Sequence, residues 1–237
     1  MRLPSHAAKM IAVAALPLAL AACSSSASTD SGDSPAASAT PSKAADPNAG
    51  LLTGTQLKKA LAPASYFPAG FAADASLARD TGDTYQAPAT KNAAKPRCAD
   101  LAATSWISLT GIEGVSFAQN SYINQNTSSE LDQEIDVYRG TTGADVLKGL
   151  ADVVAACPSY TDSDTHSKVK VTGAATAGLG DEAYTITLTS SAWETGTTLI
   201  ASRTGTAVVS VLSTEGADNG AASAKKLTEH VLASLKA

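Results

Sequence analysis

Residues 130–138 read ELDQEIDVY, and the alternation of acidic and apolar side chains in this stretch decides the fold. In an extended strand, successive side chains point to opposite faces, so apolar and acidic residues separate here. The apolar face carries Leu131, Ile135 and Val137, and the acidic face carries Asp132, Glu134 and Asp136. We expect the acidic face to be solvated, as in an antiparallel sheet covered on one side. The acidic residues can attract a cation or a basic partner there, but we favour the simpler interpretation that they keep the sheet soluble.

Further strands follow the same pattern. Residues 115–123 alternate in polarity, and a four-residue loop at 125–128 suits a hairpin between this strand and the next. Residues 168–172 and 183–189 are two more strands, and residues 197–212 are a hairpin that turns at Thr204-Gly205. The sequence thus predicts about five to six antiparallel strands.

The helices are indicated by caps and apolar stripes. Thr53 and Gln56 have capping-box spacing, which begins a short first helix. A longer helix begins near Thr142 and carries an apolar stripe that ends at Cys157, and Asn219 can cap the last helix. A short helix is also predicted over 98–105, whereas residues 64–95 form an irregular excursion. The fold class is therefore α+β, with three to four helices packed mainly on one face of the sheet.

The amino terminus has the features of an export signal. Residues 1–22 contain a basic start and an apolar run of about 11 residues, which is too short to span a bilayer. Leu20-Ala21-Ala22-Cys23 resembles a bacterial lipobox, which implies cleavage before Cys23 and a lipid on its sulfur. The alternative is an ordinary secretory signal. We expect Cys23 and the Ser/Ala/Pro-rich residues 23–50 to form an anchored, disordered tether on the extracytoplasmic face of the cell membrane, followed by a single α+β domain over 51–237.

Charge and cysteine content limit the partners. The chain has a net charge of −5, and removal of the signal deletes Arg2 and Lys9 and makes the balance more negative, which disfavours nucleic acid as a partner. With Cys23 assigned to lipid, Cys98 and Cys157 are left as a pair, and we predict one disulfide in an oxidising compartment. The competing interpretation is a reactive thiol with a histidine partner.

No motif in the folded part predicts catalysis, a metal or a cofactor. Ser116 lies in an incomplete nucleophile-elbow pattern, residues 162–166 lack the glycine and glutamate of a calcium loop, and residues 178–182 are a turn, since no helix follows them. The best candidates for an apolar ligand cleft are aromatic, although core packing explains each equally well: Tyr66, Phe67, Tyr85, Trp106 and Trp193.

The order of features resembles the actinobacterial lipoproteins related to the PknH-like extracellular sensor domain. The resemblance rests on Cys98-Ala99-Asp100-Leu101, on Glu134, Val137 and Tyr138, on a helix ending in Cys157, and on the turn at residues 178–183. It implies a mixed α/β domain with a cleft that binds an extracellular ligand without catalysis. Family members usually carry a second disulfide in the later strands, which this chain lacks, so it resembles a divergent relative.

These features favour a lipid-anchored, sensor-like domain that binds an unidentified small molecule or envelope protein. The first alternative is a structural or protein-interaction lipoprotein of the envelope. A less favoured alternative is a cell-envelope hydrolase that uses carboxylates in the excursion at residues 64–95.

Overall fold

One antiparallel sheet organises the chain in the computed structural model, which describes residues 45–88 and 95–236. The sheet has nine strands in these residues, in the order β1-β3-β4-β9-β8-β7-β6-β5, and β2 also pairs with β3. The strands are β1 (Phe71–Ala73), β2 (Arg79–Asp80), β3 (Ser116–Asn124), β4 (Glu130–Val137), β5 (Ser159–Thr161), β6 (Lys168–Ala175), β7 (Glu182–Thr189), β8 (Thr197–Thr204) and β9 (Ala207–Ser213). The predicted signal peptide, Cys23 and most of the predicted tether lie outside the described residues.

The prediction of an α+β fold with an antiparallel sheet is confirmed, but the predicted strand number was too low. The six longer strands match the alternating segments of the sequence. The three missed strands, β1, β2 and β5, are only two or three residues long. Such short segments contain too few residues for an alternating pattern to be recognised.

Four α-helices accompany the sheet in the described residues: α1 (Gly54–Ala60), α2 (Ile107–Thr110), α3 (Thr142–Ala156) and α4 (Ala221–Ser234). Two 3-10 turns lie at Ala64–Tyr66 and Cys98–Ala102. The predicted capping box of α1 is confirmed, because Thr53 accepts a hydrogen bond from the Gln56 backbone and Gln56 accepts one in return. None of the helices in the described ranges is long and apolar enough to cross a membrane.

The helices cover both faces of the sheet, so the prediction of one covered face was wrong. Helices α1 and α4 pack on one face through residues such as Leu57 and Leu227, and α2 and α3 pack on the other through Leu109 and Leu150. The cause lies in the central strands β8 and β9, where nearly every residue is buried. A strand that is buried on both faces needs a layer on each side.

The predicted disulfide between Cys98 and Cys157 is present. It joins the 3-10 turn at Cys98–Ala102 to the residue that follows α3. Helix α3 itself packs on β6, β7 and β8, and leaves the β3–β4 part of its face free. The disulfide therefore anchors the start of residues 98–114 beside β5, and the segment reaches β4 at Thr104.

Candidate functional site

Four acidic residues form a row on one face of β4. Glu130, Asp132, Glu134 and Asp136 alternate along the strand, so their side chains leave the same side of the sheet. The prediction that this face is solvated is wrong, because Glu134 is only 3% exposed and Asp136 only 9% exposed. The alternation was read correctly, but residues distant in the sequence cover the strand.

Part of this cover is the segment over residues 98–114, which contains α2. Thr104 Oγ1 donates a hydrogen bond of 2.8 Å to Glu134 Oε2. Trp106 is almost fully buried, and its Nε1 donates a hydrogen bond of 2.6 Å to Oγ of Ser210. Ser210 is the partner of Glu134 in the β4–β9 register. The segment is therefore attached to β4 and β9 at the same level of the sheet.

A cleft runs beside this segment, bounded by β2, β3 and β4. It consists of two adjoining cavities of about 150 and 240 Å³, which share Arg79, Ser105, Gln119 and Glu134. We call the two cavities together the acidic cleft. Its carboxyl groups belong to Glu113, Glu130, Asp132, Glu134 and Asp136. The first cavity also has apolar walls, formed by Trp106, Ile107, Ile112, Phe117 and Tyr138.

Burial raises the pKa of every carboxyl group in the β4 row. Burial, reinforced by the negative charge of Glu130, raises the pKa of Asp132 to about 7. The pKa of Asp136 lies well above its usual range, because the group is buried and Glu134 is charged. The pKa of Glu134 is also raised by burial, although the hydrogen bond from Thr104 opposes this. The row consequently holds its protons to higher pH than exposed carboxyl groups do.

Arg79 is the one basic residue among the described residues that line the acidic cleft. Its Nη2 donates a hydrogen bond of 3.0 Å to Gln119 Oε1, and the β2–β3 register places these two residues opposite each other. Its positive charge lowers the pKa of Glu134 and so partly offsets the effect of burial. The lining of the acidic cleft thus contains five carboxyl groups and one guanidinium group.

Two buried oxygens of the second cavity have no hydrogen-bond partner among the described residues: Ser121 Oγ and Asp132 Oδ1. Ser121 is 1% exposed and is the register partner of Asp132, yet no hydrogen bond of normal geometry joins the two side chains. Buried polar atoms in folded proteins nearly always have a partner. The second cavity therefore offers unused hydrogen-bonding capacity.

The five aromatic residues predicted for an apolar cleft lie in four separate places. Trp106 lines the acidic cleft. Tyr66 and Phe67 line a cavity of about 140 Å³ beside α4. Trp193 borders a depression near the end of β9 that shares Ala102 and Glu130 with the second cavity, and Tyr85 packs against the core beneath α1 and α4. The structure does not bring these residues together into one cleft.

The sequence indicated that Glu134 and Asp136 could attract a cation or a basic partner but favoured a solvated face, because an alternating strand indicates which residues share a face but not what covers it. The one signal that could have identified them is the pairing of Cys98 with Cys157. This bond holds the segment over residues 98–114 against the sheet.

The other motifs have structural roles. Ser116 is buried, and its Oγ donates a hydrogen bond of 2.6 Å to the carbonyl of Leu52. Asp162 accepts hydrogen bonds from Thr165 within its own loop. Residues 178–182 lead directly into β7. Within the two described ranges, no group of three or more His, Cys, Asp or Glu side chains is arranged to hold a metal ion.

Comparison with models of known protein families finds no match for this chain. A search of curated proteins likewise finds no significant match.

Proposed function

We propose that this chain is a lipid-anchored lipoprotein of the extracytoplasmic face of the cell membrane, and that its folded part is a non-catalytic, sensor-like domain that binds a ligand in the acidic cleft. We also propose that it is a divergent relative of the PknH-like sensor domains. Support for export comes from the lipobox-like residues 20–23. The Cys98–Cys157 disulfide is compatible with this location, since such bonds persist in oxidising compartments.

The binding role rests on the burial of Glu134 and Asp136 within a cleft that has a single basic residue. Burying a carboxyl group costs free energy unless a cation or hydrogen bonds compensate for the lost water. Strongly perturbed ionisable groups inside a cleft are enriched at functional sites for this reason. The acidic cleft contains buried carboxyl groups, and the pKa values of these groups are raised. A bound ligand would offset the free-energy cost of burying them.

Native mass spectrometry tests the binding role on the full-length protein, purified from its own host in a non-ionic detergent. We expect a retained small molecule. Ser105 borders both cavities, so Ser105→Trp fills the cleft and should abolish retention. The matched control is Ser108→Trp, because Ser108 is an exposed residue of α2 that lines neither cavity. Equal retention in both variants, or a bare wild-type protein, would contradict the proposal.

The lipid anchor is tested separately by metabolic labelling with a radioactive fatty acid. The wild-type protein should carry label and partition with membranes, and Cys23→Ala should lose both properties. A labelled Cys23→Ala protein would exclude this anchor.

A second candidate function is glycoside hydrolysis, because Glu113 lines the same cavity as Glu134 and Asp136. Most glycosidases use two carboxyl groups, one of them an acid with a raised pKa. Burial and nearby carboxylates raise the pKa of Asp136, which fits the acid. Release of reducing ends from cell-wall polysaccharide that is abolished by both Glu113→Gln and Asp136→Asn would favour the hydrolase over the binding role.

A further inference from the structure

The β4 row has the dimensions of an extended chain. Alternate residues of an antiparallel strand are about 6.8 Å apart, so the row from Glu130 to Asp136 spans about 20 Å. Glu130 and Asp132 are neighbours on the same face of β4, and so are Glu134 and Asp136, and the negative charge of the first residue raises the pKa of the second in each pair. Each pair can share one proton and keep one negative charge, because two adjacent carboxylates repel each other. The cleft therefore presents two anionic positions along one line.

The hydrogen-bonding groups of the cleft are mainly acceptors. Asp132 Oδ1 is buried without a donor, and the oxygen of Ser121 can accept as well. Ser121 is 1% exposed, borders the second cavity and has no partner, which is an observation independent of the acidic row. An ammonium group has three donors and no acceptor. It therefore complements this surface in both charge and hydrogen bonding.

The arrangement of the carboxyl groups favours an organic cation over a metal ion. Metal ions require several ligands that converge on one point. The carboxyl groups here lie in sequence along one strand, and the described residues contain no metal-binding cluster. The first cavity also has apolar walls formed by Ile107, Ile112 and Phe117, which suit a methylene chain.

We propose that the ligand of the acidic cleft is a linear oligoamine, with one ammonium group at Glu134 and Asp136, a second at Glu130 and Asp132, and methylene groups between them. This inference rests on the proposed binding function and specifies its ligand class. Arg79 borders both cavities and, through its register partner Gln119, lies at the level of Glu134 in the sheet.

Isothermal titration calorimetry with spermidine tests the proposal on the full-length protein in a non-ionic detergent. We expect one site per chain, no binding of the neutral 1,8-octanediol, and at least about tenfold weaker binding of butylamine, which has one ammonium group. Asp132→Asn and Asp136→Asn should each weaken spermidine binding by about tenfold or more, because each removes a buried charge partner. Asp152→Asn, at an exposed position of α3, should leave it unchanged.

Four results would overturn the proposal: no spermidine binding, equal binding of 1,8-octanediol, calcium chloride bound in preference to spermidine, or an equal loss in Asp152→Asn. Native mass spectrometry distinguishes this failure from that of the binding function. A neutral or anionic molecule retained by the wild-type protein and lost in Ser105→Trp would contradict the oligoamine alone. A bare wild-type protein together with no spermidine binding would contradict both.

Discussion

The indole Nε1 of Trp106 donates a hydrogen bond of 2.6 Å to Oγ of Ser210, across 104 residues of sequence. Both residues are almost completely buried. The bond connects the cover of the acidic cleft to β9 beside Glu134, which is the register partner of Ser210. The shape of the cleft thus depends on a contact between distant parts of the chain.

Replacement of this indole tests its structural role. Trp106→Phe removes the donor and leaves a smaller ring, so we expect the free energy of unfolding to fall by about 1–3 kcal/mol. Urea unfolding provides the measurement. Trp193→Phe is the matched control. Trp193 is only partly buried, and its indole does not take part in the hydrogen bond to Ser210. Equal losses in the two variants would show that the Trp106 hydrogen bond has no special role.

The disulfide should contribute substantially to stability. Cys98 and Cys157 are separated by 59 residues, and closing a loop of this length stabilises a fold by about 4 kcal/mol in the chain-entropy model. Simultaneous replacement of both cysteines with alanine should lower the free energy of unfolding by a similar amount, measured in urea without reductant. Addition of dithiothreitol should lower the stability of the wild-type protein but not of the variant. An unchanged urea midpoint in the variant would contradict this role.

The buried acidic row should make the fold less stable at higher pH. The pKa of Asp132 is about 7 in the fold against 3.8 as its ordinary value, so its stabilising contribution is complete below pH 3.8 and is lost as the pH rises to 7. From about pH 5 to about pH 8, the loss from Asp132 alone is about 2–3 kcal/mol. The raised pKa values of Glu130, Glu134 and Asp136 act in the same direction.

Thermal unfolding across this pH range gives the measurement, and Asp132→Asn is the control that should make the fall in stability less steep. The charged groups that act on the row from outside β4 are Asp74, Glu113 and Arg79. Hydrogen bonds from Ser76 lower the pKa of Asp74, which therefore stays ionised throughout the range. A stability that stays constant or rises with pH would contradict the burial of the row.

Two glycines in the turn before β7 offer a matched pair. Gly178 has φ +81° with no atom near an added Cβ, so Gly178→Ala should cost only the strain of a left-handed alanine, about 1–2 kcal/mol. Gly180 has φ +63°, and an added Cβ would also collide with the carbonyl oxygen of Arg203. Gly180→Ala should therefore cost more than about 3 kcal/mol in urea unfolding. Equal costs would mean that β8 does not approach this turn.

The features that the sequence predicted correctly depend either on residues close together in the chain or on the pairing of two cysteines. The capping box at Thr53 and Gln56 and the apolar stripe of α3 depend on residues three to eight positions apart. The disulfide follows from the cysteine count once Cys23 is assigned to lipid. Each of these signals is complete within the sequence itself, without knowledge of tertiary contacts.

Two local predictions, the position of the β8–β9 turn and the cap of α4, were wrong because they depend on strand register and tertiary contacts. Thr204 pairs with Ala207, so the β8–β9 turn is Gly205-Thr206 and not Thr204-Gly205. Asn219 was predicted to cap α4, but its Oδ1 accepts a hydrogen bond from the Gly196 backbone. Asp218 accepts from the Ala222 backbone in its place. Both errors are shifts of one residue, which local preferences alone cannot resolve.

The prediction that the acidic face of β4 is solvated was wrong for a different reason. The alternation of β4 correctly grouped Asp132, Glu134 and Asp136 on one face, but their burial depends on Thr104 and Trp106, which approach from outside the β3–β4 hairpin. A pattern within one strand contains no information about such a cover.

On the proposed function, the acidic cleft holds a ligand beside Glu134 and Asp136. The most direct measurement is a crystal structure of the protein purified from its own host. We predict continuous non-protein density along the β4 row, in contact with these carboxyl groups and with the walls at Ile107 and Phe117. A cleft that contains only ordered water, in protein that retains a small molecule by native mass spectrometry, would contradict the claim.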